Sequence, residues 1–377
     1  MGKPDPIHAN RVAVVFHEPE LGGASLSLLR AIPGLEARGW SFSFWVPGRG
    51  PAEQEVRRRG YEVATAERLL RFSVGGLRQP PGPLLRLGPT PRYVREWRAW
   101  VQAQDAALIH ANSLLALPEV ITRPRGGPPL ILHTHEVLPA DLKGRVAGLL
   151  TRRADLILSV SEAAAAVLRE HGIESTVVYA GVPDPEERER RPHEGLVVGT
   201  LGTVSKRKGS DLFLAAADGI RSRRNGIEFR MVGDLVVGGE RPWAQQIADR
   251  AERSSVVRRS GVDAFAELAE WDIFVLPSRM DACPLAVLEA MAMGLPVVGT
   301  RVGGIPEQLG TDAGLLVDSE DVDGLVDAVL TLAGSEQLRG SLGAAARRRA
   351  ADLFSVERQA SSLDRVYRRA LGRPEAA

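Results

Sequence analysis

Two carboxylates flank the predicted start of a helix in the segment DACPLAVLEA, residues 281–290. Asp281 precedes Pro284, and Glu289 follows it by about 7.5 Å along the helix axis, at about 1.5 Å per residue. Pro284 suits the first helical position, because its missing N–H is one that a helix start leaves unpaired. The N–H groups that follow, beginning with Leu285, then lie at the positive end of the helix dipole, which is suited to binding phosphate.

The same segment carries groups that bind sugars. The Glu289 carboxylate can accept hydrogen bonds from vicinal hydroxyls such as those of a ribose, and Asp281 can meet a second polyol. A nucleotide sugar contains two sugars and a diphosphate, so it would use all three features of the segment. In the alternative interpretation, Asp281 assists the helix cap and Glu289 is a solvated helix residue.

Alternating strands and helices predict two α/β domains. The run RVAVVFH (11–17) precedes a glycine pair and a helical segment, the order that opens a doubly wound unit. The pattern restarts at LVVGTLG (196–202), after the charged, proline-bounded segment DPEERERRPHEG. The predicted divisions are an N-terminal Rossmann-like domain over 1–183, a linker over 184–194, a C-terminal Rossmann-like domain over 195–354, and a C-terminal helix over 355–377 that packs back on the first domain.

Length, charge and cysteine content narrow the class of protein. The chain of 377 residues exceeds one typical domain, and its formal net charge of +1 gives no overall attraction to nucleic acid or membrane. Cys283 is the only cysteine, so no intrachain disulfide forms and a cysteine-based metal site is not expected. The start of the sequence lacks a signal-peptide pattern, and no apolar run approaches the roughly 20 residues of a spanning helix. We therefore expect a cytoplasmic protein.

The segment LPSRMDACPLAVLEAMAMGLPVVGTRVGGIPE (276–307) resembles the most recognisable block of glycosyltransferase family 4, a group of retaining transferases with the GT-B fold. In that family an acid and a later glutamate straddle a strand-to-helix turn, and a glycine-glycine loop follows. Other segments match further family landmarks in order, namely GGAS (22–25), THE (134–136), KRKG (206–209), MVGD (231–234) and EWDIFVLPS (270–278). The resemblance implies two Rossmann-like, doubly wound parallel-sheet domains that face a central cleft, the first for the acceptor and the second for the nucleotide-sugar donor.

The resemblance assigns roles to the residues of the DACPLAVLEA segment. The glutamate that corresponds to Glu289 holds the ribose, and the acid that corresponds to Asp281 contacts hydroxyls of the transferred sugar. Asp281 is one methylene shorter than the commoner glutamate. Backbone N–H groups of the turn, where many members have Gly-Phe-Gly, are expected to meet the sugar and the distal phosphate. In this chain the donor-binding turn consists of Ala282, Cys283, Pro284 and Leu285.

A cation of the family also has a counterpart here. Lys208 corresponds to the phosphate-binding lysine, whose charge offsets the negative charge that grows on the leaving diphosphate. Thr203 stands where the family usually has an arginine, and it offers a hydrogen bond without a charge. The nearby Lys206 or Arg207 either compensates for the missing charge or belongs to a solvated basic loop.

Two further landmarks belong to the first predicted domain. Gly22 and Gly23 correspond to a loop that brings the backbone near the donor phosphates and the acceptor, although a tight turn without a ligand is the alternative. Strand alternation places His133 and His135 on one face, and the family pattern selects His135 for a contact to the donor sugar and for orienting the acceptor. His110 corresponds to structural support at the edge of the cleft.

The resemblance implies transfer of a sugar from a nucleotide diphosphate to an acceptor hydroxyl, with retention through a front-face process. No cofactor and no metal are expected, because the helix N-terminus and Lys208 can balance the diphosphate, and the acidic DVD (321–323) is typical of a helix cap. A nucleotide-sugar epimerase or hydrolase of the same fold is one alternative, and a binding module without turnover is another, since Asp281 and Thr203 depart from the family pattern. A nicotinamide dehydrogenase is disfavoured, because neither first loop carries G-x-G-x-x-G.

The segment 68–100 bears on the acceptor, because it contains seven arginines and one glutamate. Its second half predicts a helix with an aromatic face of Tyr93, Trp97 and Trp100 and with basic positions at Arg92, Arg95 and Arg98. Such a helix either rests on an anionic membrane surface and presents a lipid-linked acceptor, or packs its aromatic side chains on the first domain. The expected acceptor is thus a lipid-linked glycan or a soluble small molecule, with no nucleic-acid partner, and the expected location is the cytoplasm, including the inner face of the membrane.

Overall fold

The computed structural model describes residues 10–66, 91–138, 142–185 and 195–374. The chain divides into two compact units, of which the first combines Met1–Gly181 with Val356–Ala377 and the second comprises Val182–Ser355. Each unit is an α/β domain built around one parallel sheet, so the predicted fold class is confirmed. The predicted linker lies for the most part outside the described residues.

Seven parallel strands form the sheet of the first unit, in the order β3-β2-β1-β4-β5-β6-β7. They are β1 (Arg11–Val15), β2 (Ser41–Val46), β3 (Glu62–Thr65), β4 (Leu108–Ala111), β5 (Leu130–Thr134), β6 (Leu156–Ser159) and β7 (Thr176–Val177). The order reverses between β1 and β4, and the carboxyl ends of these two strands border the crevice in which such sheets bind ligands.

Helices cover the sheet of the first unit. They are α1 (Gly23–Glu36), α2 (Pro51–Arg58), α3 (Pro91–Ala103), α4 (Leu117–Ile121), α5 (Leu142–Thr151), α6 (Glu162–Glu170) and the C-terminal α14 (Val356–Ala370). Helix α14 packs against α1 and belongs to this unit. Its Tyr367 ring meets Trp40 edge-on at 5.2 Å between centroids, and Trp40 Nε1 donates to Asp364 at 2.7 Å.

The aromatic face of α3 is buried in the first unit. Tyr93, Trp97 and Trp100 are at most 9% exposed, and their rings lie 5.5 to 5.6 Å from that of Trp45 on β2. These rings are therefore unavailable to a membrane surface, and the packed alternative is the one that the structure supports. Residues 68–90 lie outside the described part of the chain. Among the described helices, none combines the length and the apolar composition that a bilayer-crossing helix needs.

The second unit repeats the architecture with six parallel strands in the order β10-β9-β8-β11-β12-β13. The strands are β8 (Leu196–Leu201), β9 (Ile227–Val232), β10 (Val257–Arg259), β11 (Ile273–Leu276), β12 (Val297–Thr300) and β13 (Gly314–Val317). The helices are α7 (Ser210–Arg221), α8 (Arg241–Arg253), α9 (Ala264–Leu268), α10 (Leu285–Ala292), α11 (Ile305–Leu309), α12 (Val322–Gly334) and α13 (Glu336–Leu353). Here the strand order reverses between β8 and β11.

Candidate active site

Two loops of the second unit begin side by side, because β8 and β11 are neighbours at the point where the strand order reverses. The loop after β8 carries Lys208, and the loop after β11 carries Asp281. A backbone hydrogen bond of 2.8 Å from Arg279 N to Arg207 O joins the loops. They approach so closely at Gly209 that a Cβ there would lie 1.8 Å from the Pro277 carbonyl oxygen. Gly209 also has a φ of +67°, which favours glycine.

Lys208 and Asp281 form an ion pair at the meeting of these loops. The ammonium of Lys208 lies 2.6 Å from Asp281 Oδ2, and Arg207 Nη1 lies 3.4 Å from the same oxygen. Ser278 Oγ donates to this oxygen at 3.4 Å, and Asp281 is 7% exposed. The structure therefore brings together the predicted phosphate-binding lysine and the predicted sugar-binding acid.

Burial and charge oppose each other in this pair. Burial raises the pKa of Asp281, but Lys208 and Arg207 outweigh it, so the pKa lies below its usual value and the carboxyl is ionised. Burial lowers the pKa of Lys208, while Asp281 and Glu289 partly offset that effect. A diphosphate beside Lys208 would add negative charge and favour the ammonium form.

The glycine-glycine loop after β12 holds the backbone of Asp281. Gly303 has a φ of +51°, and a Cβ there would lie 1.7 Å from the Asp281 carbonyl oxygen. The N–H of Gly304 donates to that carbonyl at 3.1 Å. The loop therefore needs glycine at position 303 in order to approach the site.

Helix α10 begins at Leu285, and Pro284 is its N-cap with a ψ of 119°. The prediction that Pro284 is the first helical residue is wrong by one position. The physical reason is that its carbonyl turns to accept from Val287 N at 3.2 Å and from Gln308 Nε2 at 3.1 Å, which keeps Pro284 extended. Within the described ranges, the N–H groups of Leu285 and Ala286 have no acceptor, as an anion site requires.

The other predicted donor residues surround this turn. Glu289, on α10, is 5% exposed and acts electrostatically on Lys208. Ala282 is 6% exposed, and Cys283 is half-buried with its Sγ 3.4 Å from Gln308 Nε2. Thr203 is exposed on the loop after β8. Sequence reasoning did not single out Gln308, which follows the glycine-glycine loop by four residues and holds the turn in place.

The basic residues near Thr203 have different surroundings. Arg207 contacts Asp281, as described above, and its Nη1 also donates to Met280 O at 3.3 Å. Lys206 instead lies 5.6 Å from the ring centroid of Trp243, a cation–π contact. Of the two, Arg207 is therefore the one beside the carboxylate of the candidate site.

Gly22 and Gly23 lie at the N-terminus of α1, directly after the carboxyl end of β1. Gly22 is the N-cap, with extended φ and ψ of −83° and 175°, and no side chain caps the helix. Its carbonyl accepts from Leu26 N at 3.0 Å. Among the described residues, the N–H groups of the glycine pair have no acceptor, so they are available at the carboxyl end of β1. Their role in donor binding stays a prediction.

His135 follows β5 and is half-buried. Its Nε2 lies 3.0 Å from Asn112 Oδ1. Its ring lies 4.5 Å from that of His133 between centroids, tilted by 42°, which confirms that the two histidines share a face. His133 in turn contacts His110, whose Nδ1 lies 2.7 Å from the Tyr367 hydroxyl of α14. Burial, reinforced by the neighbouring histidines, keeps the pKa of His135 well below its usual value.

Sequence reasoning missed two residues at this edge of the first sheet, Asn112 and Glu136. Glu136 accepts from Leu114 N at 2.9 Å and from His135 N at 3.0 Å, and it also bonds Ser113 Oγ. Asn112 lies in the same LIHANS segment as His110, directly after β4, so its place at the carboxyl edge was readable from the strand pattern. The sequence does not indicate that the partner of Asn112 is His135, 23 residues later.

The acidic DVD segment has the capping role predicted for it. Asp321 is the N-cap of α12, and its Oδ1 accepts from Gly324 N at 2.8 Å. Across the described ranges, no three histidine, cysteine or acidic side chains are grouped as metal ligands would be. The independence from metal stays a prediction.

Comparisons with known proteins match both units. The pattern described as Glycosyltransferase Family 4 matches residues 21–185, and that described as Glycosyl transferases group 1 matches residues 194–335. The lipopolysaccharide core biosynthesis mannosyltransferase LpsB of Rhizobium meliloti (strain 1021) is 27% identical over 58% of this chain and 66% of its own length. The D-inositol 3-phosphate glycosyltransferase of Pseudarthrobacter chlorophenolicus is 32% identical over 52% of this chain and 51% of its own length.

The chain thus spans between half and two thirds of the length of these curated relatives. Among solved structures, Anabaena Alr3699/HepE in complex with UDP-glucose is similar with a TM-score of 0.78 and 20% identity, over 94% of this chain and 98% of that one. At this identity the likeness concerns the fold, and it agrees with the expected pair of parallel-sheet α/β domains.

Proposed function

We propose that this chain, which belongs to glycosyltransferase family 4, transfers a sugar from a nucleoside diphosphate donor to an acceptor hydroxyl with retention at the anomeric carbon. One observation carries the proposal. At the point of the second sheet where the strand order reverses, the structure groups a cation (Lys208), an open helix N-terminus (α10) and a buried acid (Glu289). These are the binding groups that a diphosphate and its ribose need.

In this proposal Lys208 and the N–H groups of Leu285 and Ala286 bind the diphosphate, and Glu289 binds the ribose diol. Oδ2 of Asp281 is occupied by Lys208, which leaves Oδ1 for a hydroxyl of the transferred sugar. The ion pair therefore links the sugar contact to the phosphate contact. The shorter side chain of Asp281 suits this double use, because it keeps the carboxylate close to the ammonium.

The proposed transfer conserves atoms and charge without a protein nucleophile. The acceptor oxygen bonds to the anomeric carbon on the face from which the diphosphate departs. The bond from that carbon to the phosphate oxygen breaks, and the acceptor proton moves to this phosphate oxygen. Lys208 and the α10 N-terminus stabilise the charge that develops on the leaving group, so the proposed reaction uses no metal.

The names of the relatives bear on the acceptor. LpsB is named for the lipopolysaccharide core and the second relative for D-inositol 3-phosphate, so both names refer to carbohydrate or polyol substrates. We accordingly propose a hydroxyl-rich acceptor, either a lipid-linked glycan or a soluble small molecule, and activity in the cytoplasm. A lipid-linked acceptor would require peripheral contact with the membrane.

The test begins with the donor. Thermal unfolding with UDP, GDP or ADP should show a higher midpoint with the preferred diphosphate, because a ligand that binds only the folded state stabilises it. Sugars of that nucleotide are then incubated with acceptor panels, with and without a chelator, and the anomeric configuration of the product is read by NMR. Release of sugar or epimerisation with donor alone would favour the hydrolase or epimerase, and binding without turnover would favour the binding module.

Glu289→Ala tests the ribose contact. We expect nucleotide affinity to fall by about 1.5 to 3 kcal/mol, or roughly 10- to 150-fold in Kd, because a charge-assisted hydrogen bond is lost. Calorimetry with the preferred diphosphate measures the change. Glu336→Ala, at an exposed acid in the first turn of α13, is the control. Unchanged affinity in a folded Glu289→Ala variant would remove the ribose role.

A further inference from the structure

We propose that Asn112 is a positioning residue that holds His135 as the tautomer protonated on Nε2 and leaves Nδ1 free to accept a hydrogen bond from a substrate hydroxyl. The inference rests on the proposed function in one respect, namely that His135 faces the substrates. The assignment of the tautomer itself follows from hydrogen bonds of the first unit.

The orientation of the Asn112 amide is fixed by its two partners. Nδ2 lies 2.9 Å from the carbonyl oxygen of Ala24, which can only accept, so the group on that side must be the NH₂. The amide oxygen consequently points to His135. The reverse orientation would place two oxygens against each other. The backbone of Asn112 is held as well, because its N–H donates to Val15 O at 2.9 Å.

The tautomer of His135 follows from the amide orientation. Asn112 Oδ1 is an acceptor, so the Nε2 atom that lies 3.0 Å from it must carry the proton. In a neutral ring Nδ1 then has a lone pair and no proton. Over residues 10–66, 91–138, 142–185 and 195–374, Nδ1 has no hydrogen-bond partner. The atom is also not fully buried, so solvent can contact it. It therefore remains available to a ligand.

The surroundings keep the ring neutral. Its neighbours on β5, β4 and the segment after β1 are histidines, and a carboxylate accepts from the His135 backbone N–H. These groups are His133, His110, His17 and Glu136. Burial comes first among the effects that lower the pKa of His135, and charges on the three histidines would lower it further.

Asn112 also ties His135 to the glycine pair. Ala24, which accepts from the amide, lies in the first turn of α1 directly after Gly22 and Gly23. One side chain therefore connects the ends of β4 and β5 to the start of α1, where the described residues leave the N–H groups of the glycine pair without an acceptor. A hydroxyl that donates to His135 Nδ1 would be positioned relative to those groups by Asn112.

The first experiment reads the tautomer directly. Nitrogen NMR of histidine-labelled protein, with the His135 signals assigned by difference from His135→Gln, should show a protonated Nε2 and an unprotonated Nδ1 in the wild type. In Asn112→Leu the acceptor is absent, and we expect a mixture of tautomers. In Asn112→Asp the donor to Ala24 O is lost and the side chain must move away from that carbonyl, but one carboxylate oxygen can still accept from Nε2, so the tautomer should persist.

The two variants separate positioning from folding through kinetics. Asn112→Leu should lower kcat roughly tenfold, the effect of about one hydrogen bond, with little change in the KM of the donor. Asn112→Asp should retain more activity than Asn112→Leu. Its negative charge raises the pKa of His135, however, so as the pH falls this variant should lose activity at a higher pH than the wild type does. The matched control is Asn10→Leu, at the opposite edge of the sheet. Like Asn112, Asn10 donates to a backbone carbonyl, Gly39 O at 3.0 Å, and its Oδ1 accepts from a side chain, Arg373 Nη1 at 2.5 Å.

Three results would overturn the proposal. These are a wild-type spectrum with the proton on Nδ1, an unchanged tautomer in Asn112→Leu, and a pH profile of Asn112→Asp that coincides with that of the wild type. Absence of any transfer by the wild-type protein would instead overturn the proposed function, and the spectra, which need no substrate, would still decide the assignment of the tautomer.

Discussion

The ion pair of Lys208 and Asp281 lies where both partners are largely removed from water, with side-chain exposures of 14% and 9%. A buried pair of this kind contributes little net stability, because desolvation offsets the attraction between the charges. Removal of one partner has a different effect, since it leaves the other charge buried without compensation. The pair therefore makes the two residues strongly interdependent.

A double-mutant cycle measures this interdependence. We expect Asp281→Asn to lower the free energy of unfolding by about 3 kcal/mol, and Lys208→Met to do the same, while the double variant loses much less than the sum. Urea unfolding of the second unit is the measurement. The exposed pair Arg223 and Asp327 is the control, for which a coupling below about 1 kcal/mol is expected. Additive losses at positions 208 and 281 would contradict the pairing.

His133 connects protonation to the stability of the first unit. It is 1% exposed, and burial lowers its pKa to about 4, whereas the unfolded chain binds the proton near pH 6.5. Between pH 6.5 and 4 the unfolded state therefore binds more protons than the folded state. Stability should fall as the pH falls through this window, by up to about 1.4 kcal/mol per pH unit for this one group.

The test compares the wild type with His133→Phe in urea unfolding at several pH values. The variant cannot take up the proton at position 133. As the pH falls from 6.5 to 4, the unfolding free energy of the wild type should therefore fall relative to that of the variant. Stability curves that run parallel over this range would show that His133 does not contribute to the acid sensitivity.

Helices α3 and α10 show what periodicity predicts and what it leaves open. Spacing predicts that three aromatic side chains of α3 share a face, and they do. It does not predict what covers that face. The covering side chain is Trp45, which belongs to a strand about 50 residues earlier in the chain. In α10 the predicted start is wrong by one residue, because Gln308 holds the Pro284 carbonyl and lies 24 residues away. Local patterns cannot include such distant partners.

The glycine-glycine loop before α11 is predicted to be essential to the site. In Gly303→Ala, the new Cβ would collide with the Asp281 carbonyl, and the φ of +51° would strain the alanine. We expect a loss of stability above about 1 kcal/mol and a clear loss of nucleotide affinity, since Asp281 must move. Thermal unfolding and calorimetry measure the two effects.

Gly340→Ala is the matched control for this loop. Gly340 lies in the exposed interior of α13, with nothing within 4 Å of an added Cβ. The substitution should raise stability by about 0.5 to 1 kcal/mol and leave nucleotide affinity unchanged. If Gly303→Ala behaved in the same way, the loop would not be what positions Asp281.

Sequence analysis predicted the two parallel-sheet domains, because buried apolar runs that alternate with helices leave few other architectures. It also selected the loops of the candidate site, because their motifs resemble those of the family and each loop follows a predicted strand. Sequence analysis did not predict the contacts inside the site. Lys208 and Asp281 are 73 residues apart, and Asn112 and His135 are 23 apart. Only the folded sheets bring them within hydrogen-bonding distance.

The first unit is discontinuous in sequence, because α14 completes its core after the chain has formed the whole second unit. Leu363 and Tyr367 of α14 are fully buried against the α1 side of the first sheet, and Val366 is 8% exposed. Burial of such side chains contributes about 1.5 to 3 kcal/mol each. Their sum is comparable with the whole stability of a domain of this size, about 5 to 15 kcal/mol.

Fragments test this dependence. Residues 182–355 alone should unfold cooperatively, because this unit is continuous and has its own core. Residues 1–181 alone should lack a stable fold. Fusion of residue 181 through a short glycine-serine spacer to residues 356–377 should restore cooperative unfolding, since a Cβ on Gly181 would lie 2.6 Å from Val356 Cα and the two ends therefore meet. Circular dichroism during heating is the measurement. A cooperative transition of fragment 1–181 with the midpoint of the fused form would show that α14 is dispensable for the first unit.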